Sequence, residues 1–268
     1  MRLKDRVALV TGGASGIGRA VSVLLAREGA DVAVADLQVE GAKQTVALVK
    51  EEGRRGVALK VDVTKMHDVQ MLVDGLAADF GHIDILINNA GILESAPVLD
   101  MTEAQWHRSI SVMLDGAFFV AQAVARQMVE KKIRGSIVST TSICSFVALR
   151  GSAAYCAAKA GLYLLTRVMA LELAEYGIRV NCVSPGYVET PMVEKMVADP
   201  AIRERMLSEI PMGRFGQPED IANMMMALTA DEASWVTGAN LFVDGGMMVT
   251  CAKPSAPAPN PGRGGKGS

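Results

Sequence analysis

Three side chains in the second half of the chain have the types and spacing needed for proton transfer. Tyr155 and Lys159 are four residues apart in a predicted helix, so they share one face. An ammonium close to a phenol favours the phenolate, and should lower the pKa of Tyr155 from its usual value of about 10. Tyr155 would then accept a proton near neutral pH. Ser142 follows a predicted strand and could hold a substrate oxygen, so these three residues are the catalytic candidates.

A glycine-rich turn lies near the N-terminus. The run TGGASGIG, from Thr11 to Gly18, follows the first predicted strand and leads into a helix that begins near Ile17. Gly12, Gly16 and Gly18 allow a tight turn and a close approach of the backbone to a pyrophosphate at the helix N-terminus. Glycine-rich turns are common, but a position directly after the first strand favours dinucleotide binding.

A carboxylate at the end of the second predicted strand could select the cofactor. Asp36 lies 18 residues after Gly18, where it can accept hydrogen bonds from both hydroxyls of an adenosine ribose. The same charge would repel a 2′-phosphate, and neither Ala14 nor Ser15 supplies a compensating cation. The sequence therefore predicts that NAD is preferred over NADP.

Two further strand ends carry polar residues. Asp62 and Val63 close the third predicted strand, and the run Asn88–Gly91 closes the fourth. Open α/β sheets bind ligands at the carboxyl ends of their strands. Asp and Asn at a strand end are also common turn formers, so each position is weak evidence by itself.

Short strands alternate with longer helical stretches along the chain. Several of the strands are continuous apolar runs, which is typical of parallel strands covered on both faces. The predicted strands are Arg6–Val10, Asp31–Asp36, Val57–Val61, Asp84–Asn88, Gly135–Thr140, Ile178–Val183 and Asn240–Val243. This alternation predicts a single α/β domain over residues 1–250, with a doubly wound, mostly parallel seven-stranded sheet of Rossmann type.

Composition excludes several classes of protein. The chain has 268 residues, of which 50% are hydrophobic and 21% charged, so it is not intrinsically disordered. Its 27 basic and 29 acidic residues argue against a nucleic-acid partner. Gly or charge interrupts every apolar run before the roughly 18–20 residues of a membrane span, and no signal peptide is predicted.

Cysteine and histidine usage argues against a metal site. The four cysteines form no CxxC pair and there are only three histidines, so zinc fingers, zinc proteases and disulfide scaffolds are not expected. We interpret Cys144, Cys156, Cys182 and Cys251 as free, buried thiols of a protein in the reducing cytoplasm.

Two segments have unusual polarity. Residues 251–268 include eight Pro or Gly, three basic residues and no acidic residue, which predicts a linker or tag outside the fold. The helical stretches Ile110–Ala125 and Ala153–Tyr176 are apolar nearly all round, whereas a helix on a sheet needs only one apolar stripe. We expect each to bury a second face against another subunit; a thick core within one chain is the alternative.

Together these motifs resemble the classical short-chain dehydrogenases/reductases over about residues 3–249. The matching segments are TGGASGIG at 11–18, DV at 62–63, NNAG at 88–91, Ser142, YCAAK at 155–159, RVN at 179–181, PGYVET at 185–190 and VDGG at 243–246. The resemblance implies that Tyr155 is the catalytic base or acid and that Ser142 holds the carbonyl. It also implies that Lys159 binds the nicotinamide ribose and lowers the pKa of Tyr155.

The same resemblance implies an extended cofactor site and an oligomer. The PG segment would cover the nicotinamide, with the Val188 backbone and the Thr190 hydroxyl on its carboxamide. The expected cofactor residues are Gly12, Ser15, Gly16, Ile17, Gly18, Asp36, Leu37, Asp62, Val63, Asn89, Ala90, Gly91, Tyr155, Lys159, Pro185, Gly186, Val188 and Thr190. Members of the family are commonly tetramers built on the two apolar helices, so we expect a homotetramer or a dimer.

One position departs from the family pattern. Aligning Trp106 and Gly116 with the family's helix places Met113 where a catalytic asparagine normally holds a relay water. A thioether is only a weak acceptor and cannot donate a hydrogen bond. A main-chain carbonyl could still hold the water, so we expect an altered proton relay and not an inactive site.

The segment of about residues 187–215 is expected to form a lid over the substrate. It is rich in methionine, which adapts to irregular apolar surfaces, so a partly apolar pocket is plausible beside ordinary helix packing. The candidate substrate residues are Glu94, Cys144, Arg150, Tyr187, Met192 and Met196. Arg150 could pair with an anionic substrate, or could simply be solvated.

These features predict an NAD-dependent oxidoreductase that interconverts a secondary alcohol and its ketone, with Tyr155 as general base or acid. A 3-oxoacyl-[acyl-carrier-protein] reductase is the alternative within the family. Asp36 disfavours the NADPH that such enzymes use, and Leu171 occupies a position where a second cation, after Arg126, is expected for docking the acidic carrier. A non-catalytic, NAD-binding regulator is the alternative of another class, and only Met113 favours it.

Overall fold

The computed structural model describes residues 1–249, apart from the side chains of Lys195 and Met196. Its seven strands are β1 Val7–Thr11, β2 Asp31–Asp36, β3 Gly56–Lys60, β4 Ile85–Asn88, β5 Ser136–Thr140, β6 Arg179–Pro185 and β7 Asn240–Val243. They form one parallel sheet in the order β3-β2-β1-β4-β5-β6-β7. The predicted doubly wound Rossmann-type sheet is therefore confirmed. The tail at residues 251–268 lies outside the described residues and stays a prediction.

Nine α-helices connect the strands within residues 1–249. They are α1 Gly16–Arg27, α2 Val39–Glu51, α3 Met66–Phe80, α4 Glu103–Ile110, α5 Gly116–Glu130, α6 Ala153–Leu173, α7 Pro191–Val197, α8 Pro200–Ser208 and α9 Pro218–Thr229. Three of them begin at proline, whose missing N–H costs nothing in the first turn. A capping box of Thr102 and Gln105 starts α4, and the Asp199 side chain caps α8.

The core lies on both faces of the sheet because side chains alternate along each strand. Ala8 and Val10 of β1 pack into a cluster with α1, α2 and α9. Leu9, between them, belongs to the opposite cluster with α3, α5 and α6. Every residue of β1 is buried, which explains the continuous apolar run that the sequence shows there.

Strand ends differ from the predicted ends by one or two residues because pairing with a neighbour sets them. β1 extends to Thr11, which pairs with Ala35 of β2. β6 extends to Pro185, which pairs with Val243 of β7. The third strand is shifted back by one residue, and the fourth, fifth and sixth begin one residue later than predicted.

The predicted apolar helix Ile110–Ala125 is interrupted. α4 ends at Ile110, a π-helical turn occupies Ser111–Asp115, and α5 continues to Glu130. The whole run, Glu103–Glu130, is the one helix within the described residues that is long and apolar enough to cross a membrane, and half of its apolar window is buried in the fold. Packing against the sheet accounts for that burial.

The two apolar helices differ in what they leave exposed. In α5 only Arg126 and Glu130 are exposed, so the core of the chain itself covers most of its apolar surface. In α6 Leu164, Val168 and Leu171 are 58%, 44% and 81% exposed, at spacings that place them on one face. For α5, burial within the core of one chain, the alternative to a subunit contact, therefore accounts for the apolar sequence. α6, in contrast, presents an uncovered apolar stripe.

Candidate active site

A cavity of about 340 Å³ opens at the carboxyl ends of the strands. β1 lies between β2 and β4 in the sheet. The connection from β1 to β2 and the connection from β3 to β4 therefore pass to opposite sides of β1. Such a point leaves a crevice between the connecting segments, and open α/β sheets bind their ligands there.

The glycine turn forms one wall of this cavity through its backbone. Gly12 and Gly16 adopt φ values of +65° and +51°, which favour glycine. A Cβ on Gly18 would lie 2.1 Å from the carbonyl oxygen of Gly12, so no side chain fits there. Ser15 precedes α1 without capping it by a side-chain hydrogen bond, which leaves the first amides of the helix for an anion.

Asn89 ties this turn to two neighbouring strands. Its Nδ2 donates to the carbonyl oxygen of Gly12 at 3.1 Å, and its Oδ1 accepts from Thr140 Oγ1 at 2.9 Å. Asn88, the preceding residue, instead donates to the carbonyl oxygen of Ala117 in α5 at 2.7 Å. The two neighbouring asparagines therefore have different structural roles: Asn89 holds the glycine turn at the cavity, and Asn88 holds α5 against the sheet.

Asp36 is held at the cavity wall by two backbone amides. Its Oδ2 accepts from Ala14 N at 3.0 Å and its Oδ1 accepts from Gln38 N at 2.9 Å. A carboxylate has about four acceptor sites, so acceptor capacity remains for a ligand's hydroxyls. Arg19 binds the carbonyl oxygen of Ala14 and, at 3.1 Å, Thr45 Oγ1. Sequence reasoning did not single out Arg19, because its role depends on α2 packing beside the turn.

Ser142, Tyr155 and Lys159 line the same cavity, at its β5 end. Ser142 Oγ accepts a hydrogen bond from Cys144 N at 3.1 Å. Lys159 is 4% exposed, and its Nζ donates to the carbonyl oxygen of Thr140 at 2.6 Å and lies 5.8 Å from the centroid of the Tyr155 ring. The helical spacing thus places phenol, ammonium and hydroxyl in one site.

The electrostatics of this group differ from the prediction. Burial raises the pKa of Tyr155 to about 12, although the Ser142 hydroxyl opposes the shift. Burial also lowers the pKa of Lys159 to about 8. The expected lowering of the Tyr155 pKa by Lys159 is therefore not found in the chain by itself: burial is the largest influence on the phenol, and the Lys159 ammonium donates instead to Thr140.

Met113 is fully buried in the π-helical turn. A Cβ on Gly91 would lie 3.8 Å from Met113 Cγ and 3.9 Å from Lys159 Nζ, so the thioether and the ammonium flank the same glycine. The role of Met113 in a proton relay stays a prediction.

The cavity brings together most of the predicted cofactor residues. Those lining it are Gly12, Ser15, Gly16, Ile17, Asp36, Leu37, Asp62, Val63, Asn89, Ala90, Gly91, Tyr155, Lys159, Pro185, Gly186, Val188 and Thr190. Gly18 lies behind the turn, where it permits the turn's close packing. Thr140 and Thr141, which the sequence analysis did not select, also line it.

The predicted substrate residues are more scattered. Met192 lines the cavity, whereas Glu94, Cys144, Arg150 and Tyr187 do not. The side chain of Met196 lies outside the described residues. Glu94 forms a salt bridge with Arg108 at 2.6 Å, and Arg150 is exposed on a loop. Cys144 and Cys182 are buried free thiols as expected, Cys156 is half-buried, and Cys251 lies outside the described residues.

The residues present fit a dinucleotide. The turn offers backbone without side chains at a helix N-terminus, Asp36 offers acceptors for ribose hydroxyls, and Thr190 makes no side-chain cap to α7. Thr190 also packs against the turn, since a Cβ on Gly16 would lie 3.3 Å from its Cγ2. Together they place candidate positions for a phosphate, a sugar and proton transfer within one crevice.

Comparison with known proteins identifies the family. A family model described as enoyl-(acyl carrier protein) reductase matches residues 12–248. The chain is 42% identical to the 3-oxoacyl-[acyl-carrier-protein] reductase of Thermotoga maritima, over 93% of this chain and 100% of that protein. It is also 42% identical to the cis-4-hydroxycyclohexanecarboxylate dehydrogenase of Sinomonas cyclohexanicum, over 91% of this chain and 97% of that protein.

A solved structure agrees with the sequence comparison. A protein provisionally named 2-deoxy-D-gluconate 3-dehydrogenase, from Agrobacterium tumefaciens and with bound NADP, shares 36% identity and a TM-score of 0.87 over 92% of this chain and 98% of that one. The chain belongs to the classical short-chain dehydrogenase/reductase family. It is accordingly a nicotinamide-dependent oxidoreductase of the alcohol and hydroxyacyl class.

Proposed function

We propose that this protein interconverts a neutral secondary alcohol and its ketone with NAD(H), using Tyr155 to exchange the hydroxyl proton. The observation behind this proposal is the charge pattern of the cavity. Asp36 lies at one end, Tyr155 at the other, and Lys159 is the only basic residue among the described lining residues. Each part of the proposal follows from that pattern.

The preference for NAD rests on distance as well as on charge. Lys159 bonds to Thr140 at the end of β5, and β5 is three strands away from β2, which ends in Asp36. Neighbouring strands are about 4.8 Å apart, so the ammonium lies on the order of 14 Å from the carboxylate. It cannot neutralise a 2′-phosphate beside Asp36. Arg19 is already bound to protein acceptors. The A. tumefaciens relative holds bound NADP, so a comparison of both cofactors is the decisive measurement.

Catalysis is proposed to follow from proton handling at Tyr155. In the oxidation, its phenolate oxygen accepts the proton of the substrate hydroxyl while Ser142 Oγ donates to the same substrate oxygen. In the reduction, the phenol returns the proton to the carbonyl oxygen. The nicotinamide, when bound, supplies the hydride chemistry. Lys159 is proposed to bind a ribose hydroxyl of the cofactor, and its ammonium, 5.8 Å from the centroid of the Tyr155 ring, adds positive charge beside the phenolate.

A kinetic comparison with both cofactors tests the proposal. The purified full chain would be given NAD or NADP with a panel of linear and cyclic secondary alcohols, and NADH or NADPH with the ketones. We expect kcat/KM for NAD to exceed that for NADP by at least about tenfold, or roughly 1.4 kcal/mol. Equal or better use of NADP would refute the cofactor assignment. Absence of turnover with every alcohol would favour the non-catalytic regulator.

A 3-oxoacyl thioester is the second candidate substrate, because the T. maritima relative is named for that activity. Arg126 is exposed on α5, as carrier docking would require. Leu171, 81% exposed on α6, offers an apolar surface where a second cation is expected. Reduction of acetoacetyl-CoA at least as efficient as that of the best simple ketone would establish the second candidate in place of the first.

We also propose a homo-oligomer, a tetramer or a dimer, located in the cytoplasm. The exposed stripe of Leu164, Val168 and Leu171 supports association, since an isolated monomer would leave these side chains in water. Sedimentation as a monomer at neutral pH would refute the assembly.

A further inference from the structure

Thr140, the last residue of β5, makes two hydrogen bonds that lead to opposite ends of the cavity. Its Oγ1 donates to Asn89 Oδ1 at 2.9 Å, and its carbonyl oxygen accepts from Lys159 Nζ at 2.6 Å. Thr140 is buried and lines the cavity. The two groups of this one residue therefore connect the side chain that holds the glycine turn with the ammonium of the proton-transfer site.

The hydroxyl of Thr140 determines which way the Asn89 amide points. An asparagine side chain accepts hydrogen bonds at its oxygen and donates them from its nitrogen. Because Oδ1 accepts from Thr140, Nδ2 lies toward β1, where it donates to the carbonyl oxygens of Gly12 at 3.1 Å and Thr11 at 3.3 Å. The orientation that holds the glycine turn thus depends on the Thr140 hydroxyl.

The carbonyl of Thr140 lies on the side of β5 where the neighbouring strand has ended. Thr141 N donates to the carbonyl oxygen of Val183 in β6 at 2.9 Å. In a trans peptide the carbonyl points away from the N–H, so the Thr140 oxygen points toward β4, beyond its last residue. Lys159 Nζ occupies the place of the next strand donor. The backbone bond to β6 holds one edge of this peptide, and the contact with Asn89 holds the other.

Lys159 depends on that carbonyl for its position. Its side chain is 4% exposed, and within residues 1–249 the Thr140 oxygen is the one hydrogen-bond acceptor of Nζ and no carboxylate forms a salt bridge with it. Ser145 Oγ donates to the carbonyl oxygen of Lys159 at 2.9 Å, which fixes the helical turn that carries the side chain. A buried charge needs a polar partner, so this acceptor sets where the ammonium lies.

We propose that Thr140 is a positioning residue that connects the two halves of the site: its hydroxyl orients Asn89 at the glycine turn, and its carbonyl places the Lys159 ammonium. This inference rests on the proposed alcohol dehydrogenase function, in which the ammonium must lie close to both Tyr155 and the cofactor. Thr140 acts through its two partners and takes no part in the proton or hydride transfer.

Variants that remove only the hydroxyl test the inference. Thr140→Val keeps the branched shape and the backbone carbonyl, and Thr140→Ala removes the hydroxyl without placing a methyl beside Asn89. Both should weaken NADH binding, measured by NADH fluorescence without turnover, by about fivefold or more, and should lower kcat at saturating NAD by about tenfold or more. Thr140→Ser retains the hydroxyl and should stay within about threefold of the unmutated chain in both measurements.

A matched control loses a buried hydroxyl elsewhere. Thr166 is buried on α6, donates from Oγ1 to the carbonyl oxygen of Leu162 at 2.9 Å, and lies outside the cavity. Thr166→Val should leave NADH affinity and kcat unchanged. Thermal unfolding of all four variants shows whether each is folded under the conditions of the assay.

The pH profile separates positioning from a general loss of structure. In the unmutated chain the rise of oxidation with pH should flatten near the Lys159 pKa of about 8. An ammonium with a displaced acceptor is less stabilised, so in Thr140→Val its pKa should fall and the flattening should occur about half a pH unit lower or more. Among the described residues the titratable groups that face the ammonium are the Tyr155 phenol on α6 and the Cys144 thiol after β5, and the variants alter neither.

The outcomes distinguish this inference from the function on which it rests. A folded Thr140→Val variant with unchanged NADH affinity, kcat and pH profile overturns the inference, and the alcohol dehydrogenase function stands. Equal impairment of Thr140→Ser, or of Thr166→Val, overturns it as well. Absence of turnover by the unmutated chain with every alcohol and ketone overturns the proposed function. NADH binding then decides the inference, because an affinity that Thr140→Val and Thr140→Ala leave unchanged overturns it.

Discussion

The cofactor half and the lid half of the crevice are built from different kinds of interaction. Around the glycine turn the backbone does most of the holding: Asp36 is fixed by two amides, and Gly18 has no room for a side chain. On the lid, side chains of separate segments bind one another: Tyr187, after β6, donates to Glu209, after α8, and Arg203 of α8 binds Glu189 at 2.8 Å. A site formed by backbone groups keeps its geometry when neighbouring side chains are substituted. A contact between two side chains is lost when either residue is substituted. We therefore expect cofactor use to be robust and substrate choice to be variable.

The largest effect is expected where the two halves meet. Tyr155→Phe removes the proposed proton acceptor and keeps the ring, so kcat should fall by about a hundredfold or more. NAD affinity, measured by fluorescence titration, should change little because Phe retains the ring and the glycine turn and Asp36 are unchanged. A variant that retains more than a tenth of the turnover would mean that another group is the base.

The pH dependence should also be large. Because burial raises the pKa of Tyr155 to about 12, the phenol is protonated at neutral pH, and the fraction able to accept a proton rises with pH. Oxidation should therefore increase by up to about tenfold per pH unit from pH 6, while reduction, which uses the phenol, should not increase.

Lys159 should limit that increase. Its pKa is lowered to about 8, so above that pH the ammonium loses its proton and the rise in oxidation should flatten. Rates measured from pH 6 to 10 with saturating NAD check both features. A flat profile from pH 6 to 8 would contradict the assignment of Tyr155.

Asp36→Ala should change cofactor preference by about tenfold. The substitution removes the acceptors for the ribose hydroxyls and also the repulsion of a 2′-phosphate. The ratio of kcat/KM for NAD to kcat/KM for NADP should therefore fall. Asp68→Ala on α3 is the control, because it removes an equal charge from an exposed position outside the cavity and should leave the ratio unchanged. An Asp36→Ala variant with an unchanged ratio would show that other groups select the cofactor.

A smaller effect is expected at Met113. If a main-chain carbonyl of the π-helical turn already holds the relay water, Met113→Asn should alter kcat by less than about tenfold, under about 1.4 kcal/mol. A much larger increase would show that the thioether blocks proton release. Thermal unfolding of the variant provides the control, since a fully buried apolar side chain is being replaced by a polar one.

The smallest effect is expected from the tail. Removing residues 251–268 should leave both turnover and sedimentation unchanged, because its Pro- and Gly-rich composition offers little to bury. Leu171→Glu on α6 is the variant to compare with the tail deletion. A charge in the exposed apolar stripe should weaken assembly, which sedimentation would detect. Loss of assembly on tail removal would assign the tail a structural role.

The sequence alone determined the fold class, the glycine turn and the position of Asp36. These depend on short-range requirements: continuous apolar runs for covered strands, glycine where φ is positive, and a carboxylate at a strand end. The spacing of Tyr155 and Lys159 is equally local, because four residues span one helical turn. Each of these features can be recognised within a few residues of the chain.

Only the tertiary structure decided the features that depend on distant contacts and on exclusion of water. Tyr187 and Glu209 are 22 residues apart, and no local pattern pairs them. The pKa of Tyr155 rises and does not fall, because burial depends on everything packed around the ring. Likewise most of the apolar surface of α5 is covered whereas α6 keeps one apolar stripe exposed, although the two sequences are similarly apolar, because coverage depends on the elements that pack against a helix.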